Sequence, residues 1–288
     1  MLLRIDRVQL AVPDRAEAAR GWVDLLGAEH DGDDRIAVLN ALRTRYRIGS
    51  GFVELLEPDG AGVVARAVSQ WGGHLFAAGA SVADVSAASA RLSERGVEPR
   101  LEAGQIHLDP AATGGRGLRL VISPDEPHPA VGAVSGFYEV TNLVHDVKLA
   151  CERLVDLFGL DPAAFVPIES REFGYDGTLT LFDSDRLDRF EAITPRVPGN
   201  TMGRFFAKRG ESLYMAFAEC AELAIVEARL RERGAGFTAV PPESHRDLRG
   251  AHTVFLHPPV LGGMMLGLSR PGYAWTWSGS PERAGEGV

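Results

Sequence analysis

Arg189-Phe190-Glu191-Ala192-Ile193-Thr194-Pro195, continued by Asn200-Thr201-Met202-Gly203-Arg204-Phe205-Phe206-Ala207-Lys208-Arg209-Gly210-Glu211-Ser212-Leu213, is the stretch from which the rest of the chain can be read. The first segment reads as a strand carrying one carboxylate, Glu191, and it ends at a proline. Met202 to Arg209 reads as a short basic helix, Gly210 as its turn, and a second strand begins near Leu213. The same grammar appears earlier as Val53-Glu54-Leu55-Leu56-Glu57-Pro58, a spacer, Gly72-Gly73-His74-Leu75-Phe76-Ala77, and then Val82-Ala83-Asp84-Val85. The chain is therefore expected to be an internal duplication.

Outward from these anchors, residues 3 to 12 alternate, with Val8, Leu10 and Val12 on one face and Arg7, Gln9 and Ala11 on the other. Asp14 is placed to cap a helix with Ala19, Trp22, Val23 and Leu26 as its buried stripe and Gly27 as its stop. Strands are expected at 35–42, 44–48 and 52–56, completing one βαβββ unit. A second unit runs from Leu75 through a helix opened by Asp84, with Val85, Ala88 and Leu92 facing inward, to strands at 98–101, 105–108 and 118–122. Residues 125–135 lack periodicity and hold prolines, so they read as a linker between a first domain, 1–124, and a second, 136–270. The second half repeats the first: Asp14 and Gly27 correspond to Asp146 and Gly159 at one offset, and Ala150, Leu154, Leu157 and Phe158 form the matching stripe. A longer offset late in the chain locates an insertion at about 241–249. The tail, 271–288, carries Tyr273, Trp275 and Trp277, expected to be pinned to its own domain.

With 45% hydrophobic and 24% charged residues, each half can bury a core. A net charge of -9 offers no basic field to attract nucleic acid or an anionic membrane, which argues against either as the main partner. Cys151 and Cys220 are the only cysteines, too few for a disulfide framework, and a reducing cytoplasm is the expected setting. Charges fall too early in Met1-Leu2-Leu3-Arg4-Ile5-Asp6 for a signal peptide, and no apolar run reaches the roughly 18 residues that span a bilayer.

Four βαβββ units in two fused pairs, with strand-to-helix junctions such as Ile5-Asp6-Arg7-Val8-Gln9-Leu10-Ala11-Val12-Pro13-Asp14, resemble the vicinal oxygen chelate superfamily of glyoxalases, bleomycin-resistance proteins, extradiol dioxygenases and methylmalonyl-CoA epimerases. Val53 to Pro58, Phe205 to Leu213 and Phe255-Leu256-His257-Pro258 with Gly262-Gly263-Met264 look most like the epimerase branch. The resemblance implies an α+β fold of two cups, each binding a divalent metal through a first-strand His, a fourth-strand Glu or Gln, a partner-strand His and a last-strand Glu. Only the fourth-strand ligand carries over, as Glu54 and Glu191. Arg7 and Glu139 replace the first-strand His, Ala77 and Met215 the partner-strand His, and Val121 and Gly267 the last Glu. The epimerase's second carboxylate falls near Thr180, which is not an acid. No metal is expected; a divalent ion, if bound, would use Glu54 with His74, which needs a bulge to reach that face, or Glu139 with Glu191.

Three function classes follow. The first is metal-independent acid/base chemistry of lyase or isomerase type in the second cup. Glu191 and Glu139 would be the catalytic carboxylates, with Thr141, Met215, Phe217 and Tyr214 around the small-molecule ligand. Arg7, Gln9 and Glu54 are the corresponding residues of the first cup, where Arg7 and Glu54 are expected to pair. The second class is non-catalytic sequestration of a natural product, and the third is a metal-dependent dioxygenase or isomerase with atypical ligands. The fused pair supplies its own module partner, so the chain is expected to be a monomer or a homodimer.

Overall fold

The computed structural model describes residues 1–284. The first half runs β1 (Arg7–Ala11), α1 (Arg15–Leu26), β2 (Glu29–Ile36), β3 (Ala41–Ile48), β4 (Gly51–Pro58), α2 (Val63–Trp71), β5 (His74–Val82), α3 (Val85–Glu94), β6 (Arg100–Glu102), β7 (Gln105–Leu108) and β8 (Leu120–Pro124). The second repeats it as β9 (Gly136–Leu143), α4 (Val147–Phe158), β10 (Phe165–Ser170), β11 (Tyr175–Leu181), β12 (Arg189–Pro195), α5 (Thr201–Arg209), β13 (Ser212–Glu219), α6 (Leu223–Glu232), β14 (Phe237–Val240), β15 (Thr253–Leu256) and β16 (Met265–Ser269). Each half is one eight-stranded mixed sheet. The orders, β2-β3-β4-β1-β5-β8-β7-β6 and β10-β11-β12-β9-β13-β16-β15-β14, are identical under the duplication.

Cap chemistry places the long helices as expected. Asp14 accepts from the Glu17 N–H and Asp146 from the Leu149 N–H, while Gly27 and Gly159 close α1 and α4 in the left-handed conformation. In α1 the buried residues are Ala18, Ala19, Trp22, Leu25 and Leu26, whereas Val23 is 39% exposed, so the stripe lies one position away from the expected one.

Three expectations need correction. The spacer after Pro58 is the helix α2, whose Val64 and Val68 sit one turn apart and pack over the end of the first sheet. The first hairpin strand is 29–36 rather than 35–42; a 3-10 turn at Ala37–Leu39 follows, and β3 starts at Ala41. β2 is an edge strand of acidic sequence whose cross-strand partners are arginines: Asp31 with Arg45 at 2.6 Å, Asp34 with Arg43 at 2.6 Å and Glu29 with Arg47 at 3.0 Å. The last strand of the first sheet begins at Leu120, two residues later than expected. Segment 125–135 is not a free tether. Gly49 and Val131 form a bridge, the Ala133 N–H donates to Leu26 O at 2.7 Å, and the Ser135 N–H donates to Glu219 O at 2.7 Å.

The strand order brings β1 and β9 to the centre of their sheets, each between a parallel and an antiparallel neighbour. Both antiparallel pairings carry a bulge. Gln9 pairs with Ala77 but Leu10 with Leu75, leaving Phe76 as the extra residue; Thr141 pairs with Met215 but Asn142 with Leu213, leaving Tyr214 as its counterpart. No helix among the described residues is long and apolar enough to cross a membrane.

Candidate functional site

The first cup is filled by its own charges. Glu54, fully buried, accepts from Arg7 Nη1 at 2.8 Å, Gln9 Nε2 at 2.7 Å, Gln105 Nε2 at 3.0 Å and Arg43 Nη1 at 3.3 Å. Arg7 reaches back to Asp6 at 2.7 Å and lies flat over Gly79, where an added Cβ would stand 2.0 Å from Arg7 Cγ. Burial alone would raise the Glu54 pKa, but the Arg7 and Arg43 guanidiniums outweigh it and hold the group down to about 2. Three donors converge on Glu54 Oε1 and one on Oε2, so the carboxylate is committed to its own sheet. This network fixes the centre of the sheet, and removing one member would strand a buried charge.

His74 has the bulge that the sequence reading required, and it pairs with Ala11, on the row beyond Gln9. Its Nδ1 lies 2.8 Å from Gly72 O, and burial pushes its pKa down to about 4. The structure therefore does not bring His74 and Glu54 together as a donor pair.

The second cup is built differently. Parallel pairing of β9 with β12 sets Glu139 beside Arg189 and Thr141 beside Glu191. Arg189 Nε donates to Glu139 Oε2 at 2.6 Å, and Thr141 Oγ1 donates to Glu191 Oε2 at 2.5 Å. The two carboxyls are themselves hydrogen-bonded partners, and the Tyr175 phenol adjoins Glu191. Burial first, and then the neighbouring Glu139, push Glu191 up to about 8. Burial also raises Glu139, against the opposing pull of Arg189. Both carboxyls are thus pushed toward their protonated forms, Glu139 against the pull of Arg189 and Glu191 with the charge of Glu139 added to its burial. Glu191 retains 5% exposure against 1% for Glu139, so it is the member nearer an entering molecule. Arg189 Nη2, buried, has no partner among the described residues.

Beside this cluster stands an aromatic wall. The Phe217 ring centroid lies 6.0 Å from Tyr138, 5.8 Å from Phe255 and 6.5 Å from Trp277, and Phe173 lies 6.3 Å from Phe255. Phe217, Phe255 and Trp277 are only half-buried. The tail residue Trp275 packs with Leu179 and Leu181, so the tail is pinned to its own half and one of its rings also borders the cup. Met215, opposite Thr141, supplies apolar floor. Tyr214, by contrast, meets Phe205 of α5 edge to face at 5.0 Å and is not joined to the Glu191 cluster. Thr180 is buried and donates to Phe190 O at 2.9 Å. Arg189 was legible in the alternation two residues before Glu191, but Tyr175, Phe255, Phe173 and Trp277 come from distant elements with no local signal.

The donor set does not fit a divalent metal. Glu139 is paired with Arg189, the cluster holds only two carboxyls and no imidazole among the described residues, and a guanidinium occupies it. At Gly267, where the superfamily pattern wants a carboxylate, a Cβ would stand 2.3 Å from the Phe217 ring. Among the described residues no three His, Cys, Asp or Glu side chains converge.

No protein-family model matches the sequence, and no curated protein matches it. Solved structures do. A 4-hydroxymandelate synthase from Streptomyces coelicolor, carrying three substitutions, superposes with a TM-score of 0.69 over 93% of each chain at 18% identity. A fusion of a xylose isomerase-like TIM barrel with a 4-hydroxyphenylpyruvate dioxygenase matches at TM-score 0.62 over 94% of this chain and 49% of its own, at 13% identity. A methylmalonyl-CoA epimerase from Mycobacterium tuberculosis matches at TM-score 0.41 over 50% of this chain and 92% of its own, at 20% identity. The chain has the α+β vicinal oxygen chelate fold in its two-sheet, four-module form. At these identities the likeness speaks for the fold alone.

Proposed function

We propose that the second cup binds a small aromatic carbonyl compound without a metal and transfers a proton next to the carbonyl. The observation that carries this reading is the pair of buried carboxyls, Glu139 on Arg189 and Glu191 on Thr141, beside an unpartnered Arg189 donor and a half-buried aromatic wall. The charges Arg189 and Glu139 cancel and Glu191 is neutral, so the cluster favours a neutral carbonyl over a second anion. Glu191 as acid, with Arg189 Nη2, would hold the carbonyl oxygen; an adjacent carboxylate would take the proton from the neighbouring carbon, giving an enol. Phe217, Phe255 and Trp277 would orient the ring of the substrate. An acid whose pKa lies near neutrality suits both directions of such a transfer.

The test is deuterium exchange at the carbon beside the carbonyl of a panel of aryl ketones, followed by NMR on protein whose metal content has been measured. Glu191→Gln should abolish exchange, a loss of about a hundredfold or more, and leave ligand affinity within a few fold. Exchange that survives Glu191→Gln, or that needs stoichiometric metal, would overturn the assignment. Saturable binding with no exchange in the unaltered protein would instead favour sequestration.

A further inference from the structure

Where the two halves meet, a cavity of about 320 Å³ opens between α2, the ends of β5 and β8, and the junction of α5 with β13. The duplication places matching positions on opposite walls: Trp71 faces Arg209, the last residue of the equivalent helix, and His74 and Leu75 stand against Ser212 and Leu213. Three arginines line it, Arg66, Arg119 and Arg209, and none has a hydrogen-bonding or ion-pair partner among the described residues. Arg4, Arg7, Arg43, Arg45 and Arg47 of the same half are all matched to carboxylates. Arg119 lies over the Phe76 ring at 4.5 Å, and Arg209 over Trp71 at 4.7 Å and Phe205 at 5.1 Å. The carboxylates nearby are already committed. Glu211 at the rim faces Arg116 at 3.7 Å and accepts from the His145 N–H, and Asp109 pairs with Arg100 at 3.4 Å.

We infer that this seam is a binding site for a small organic oxyanion, a phosphate monoester or a carboxylate, whose charged group sits among Arg66, Arg119 and Arg209 and whose apolar part lies against Trp71 and Phe76. Planar guanidiniums already held over aromatic faces lose little freedom on pairing with an oxyanion, and cation-π contact leaves their N–H groups free to donate. Burial depresses the Arg119 and Arg209 pKa values, with Asp109 offsetting only part of the cost at Arg119, and a bound oxyanion would reverse it. His74, neutral at pH 7 because of its burial and with its one N–H given to Gly72 O, adds no charge to this wall. The site is separate from the Glu191 cluster, so neither reading depends on the other.

Calorimetric titration of the full chain with phenyl phosphate and with phenylacetate tests it, with inorganic phosphate as the probe lacking an apolar part. At least one aryl probe should saturate one site and bind more tightly than inorganic phosphate, and the tighter of the two identifies the oxyanion. Arg119→Ala should weaken that probe about tenfold or more. Arg209→Gln, at a half-exposed helix end, should weaken it severalfold, and it carries the test if Arg119→Ala fails to fold. No saturation by either aryl probe up to about 10 mM would overturn the proposal, as would inorganic phosphate binding as tightly as the tighter aryl probe, or unchanged affinity in Arg209→Gln.

Discussion

Glu191 and Glu54 occupy equivalent positions, yet their neighbours drive them in opposite directions. Two arginines hold Glu54 ionised, whereas Glu191 faces a second carboxyl and keeps a proton. That difference has a sign that stability measurements can read. The Glu191 carboxyl titrates near 4.5 in an unperturbed chain and near 8 in the folded protein, so its folded pKa is the higher one. As pH rises through 4.5 the unfolded chain releases the proton while the folded protein retains it, and stability falls until the folded group also ionises near pH 8. Glu191→Gln removes this dependence. The variant should therefore gain stability relative to the unaltered protein steadily between pH 4.5 and 8 and not beyond. Urea unfolding of both proteins across that range gives the difference, in which groups remote from Glu191, such as Asp188 with its pKa raised to about 6, cancel, while the neighbouring Glu139 contributes to it. A difference independent of pH would mean that Glu191 is ionised when folded.

Elements whose stability is local were legible, and those held by partners elsewhere were not. Asp14 and Asp146 announce α1 and α4 because a cap needs only a few adjacent residues, and the alternation through Glu139, Thr141 and Glu191 shows one face of two central strands. β2 escaped because Glu29 to Ile36 has no apolar period and is fastened by arginines of β3. α2 escaped because its N-cap is Gly62, without a side-chain hydrogen bond, although Val64 and Val68 have helical spacing. Within the site, the reading for metal donors singled out carboxylates and passed over Arg189, the guanidinium that decides their protonation. The repeated helix-to-strand corner offers a test at this scale. Gly72 and Gly210 end α2 and α5 with nearly the same dihedrals, φ 67 ψ -154 and φ 69 ψ -154, in a region almost restricted to glycine. A Cβ at Gly210 would meet nothing within 4 Å, so any cost is backbone strain alone. Gly210→Ala should destabilise the protein by about 1–3 kcal/mol, read from the urea midpoint with the slope unchanged.

At the scale of the whole molecule the two sheets share one core. A single cluster of buried residues includes Val8, Trp22 and Leu26 from the first half and Val226, Leu261 and Leu266 from the second. Polar contacts cross the same boundary: the Ile5 N–H donates to Asp188 at 2.7 Å, Arg91 Nε to Leu157 O at 2.8 Å and Arg229 Nη1 to Leu25 O at 2.9 Å. The duplication thus behaves as one folding unit rather than as two beads on a linker, and α1 makes the point testable. Gly21 lies inside that helix, where replacement by alanine ordinarily stabilises by about 0.5–1 kcal/mol. Here a Cβ would stand 1.8 Å from the carbonyl oxygen of Val260, in the turn that precedes β16. The interface must move to admit the methyl group, and overpacking of this kind costs about 1–3 kcal/mol. Gly21→Ala should therefore destabilise instead of stabilise, and both halves should still unfold in a single transition at a lower temperature. A calorimetric scan that split into two peaks, or a melting temperature raised by the alanine, would show that the halves are less tightly joined than the shared core requires.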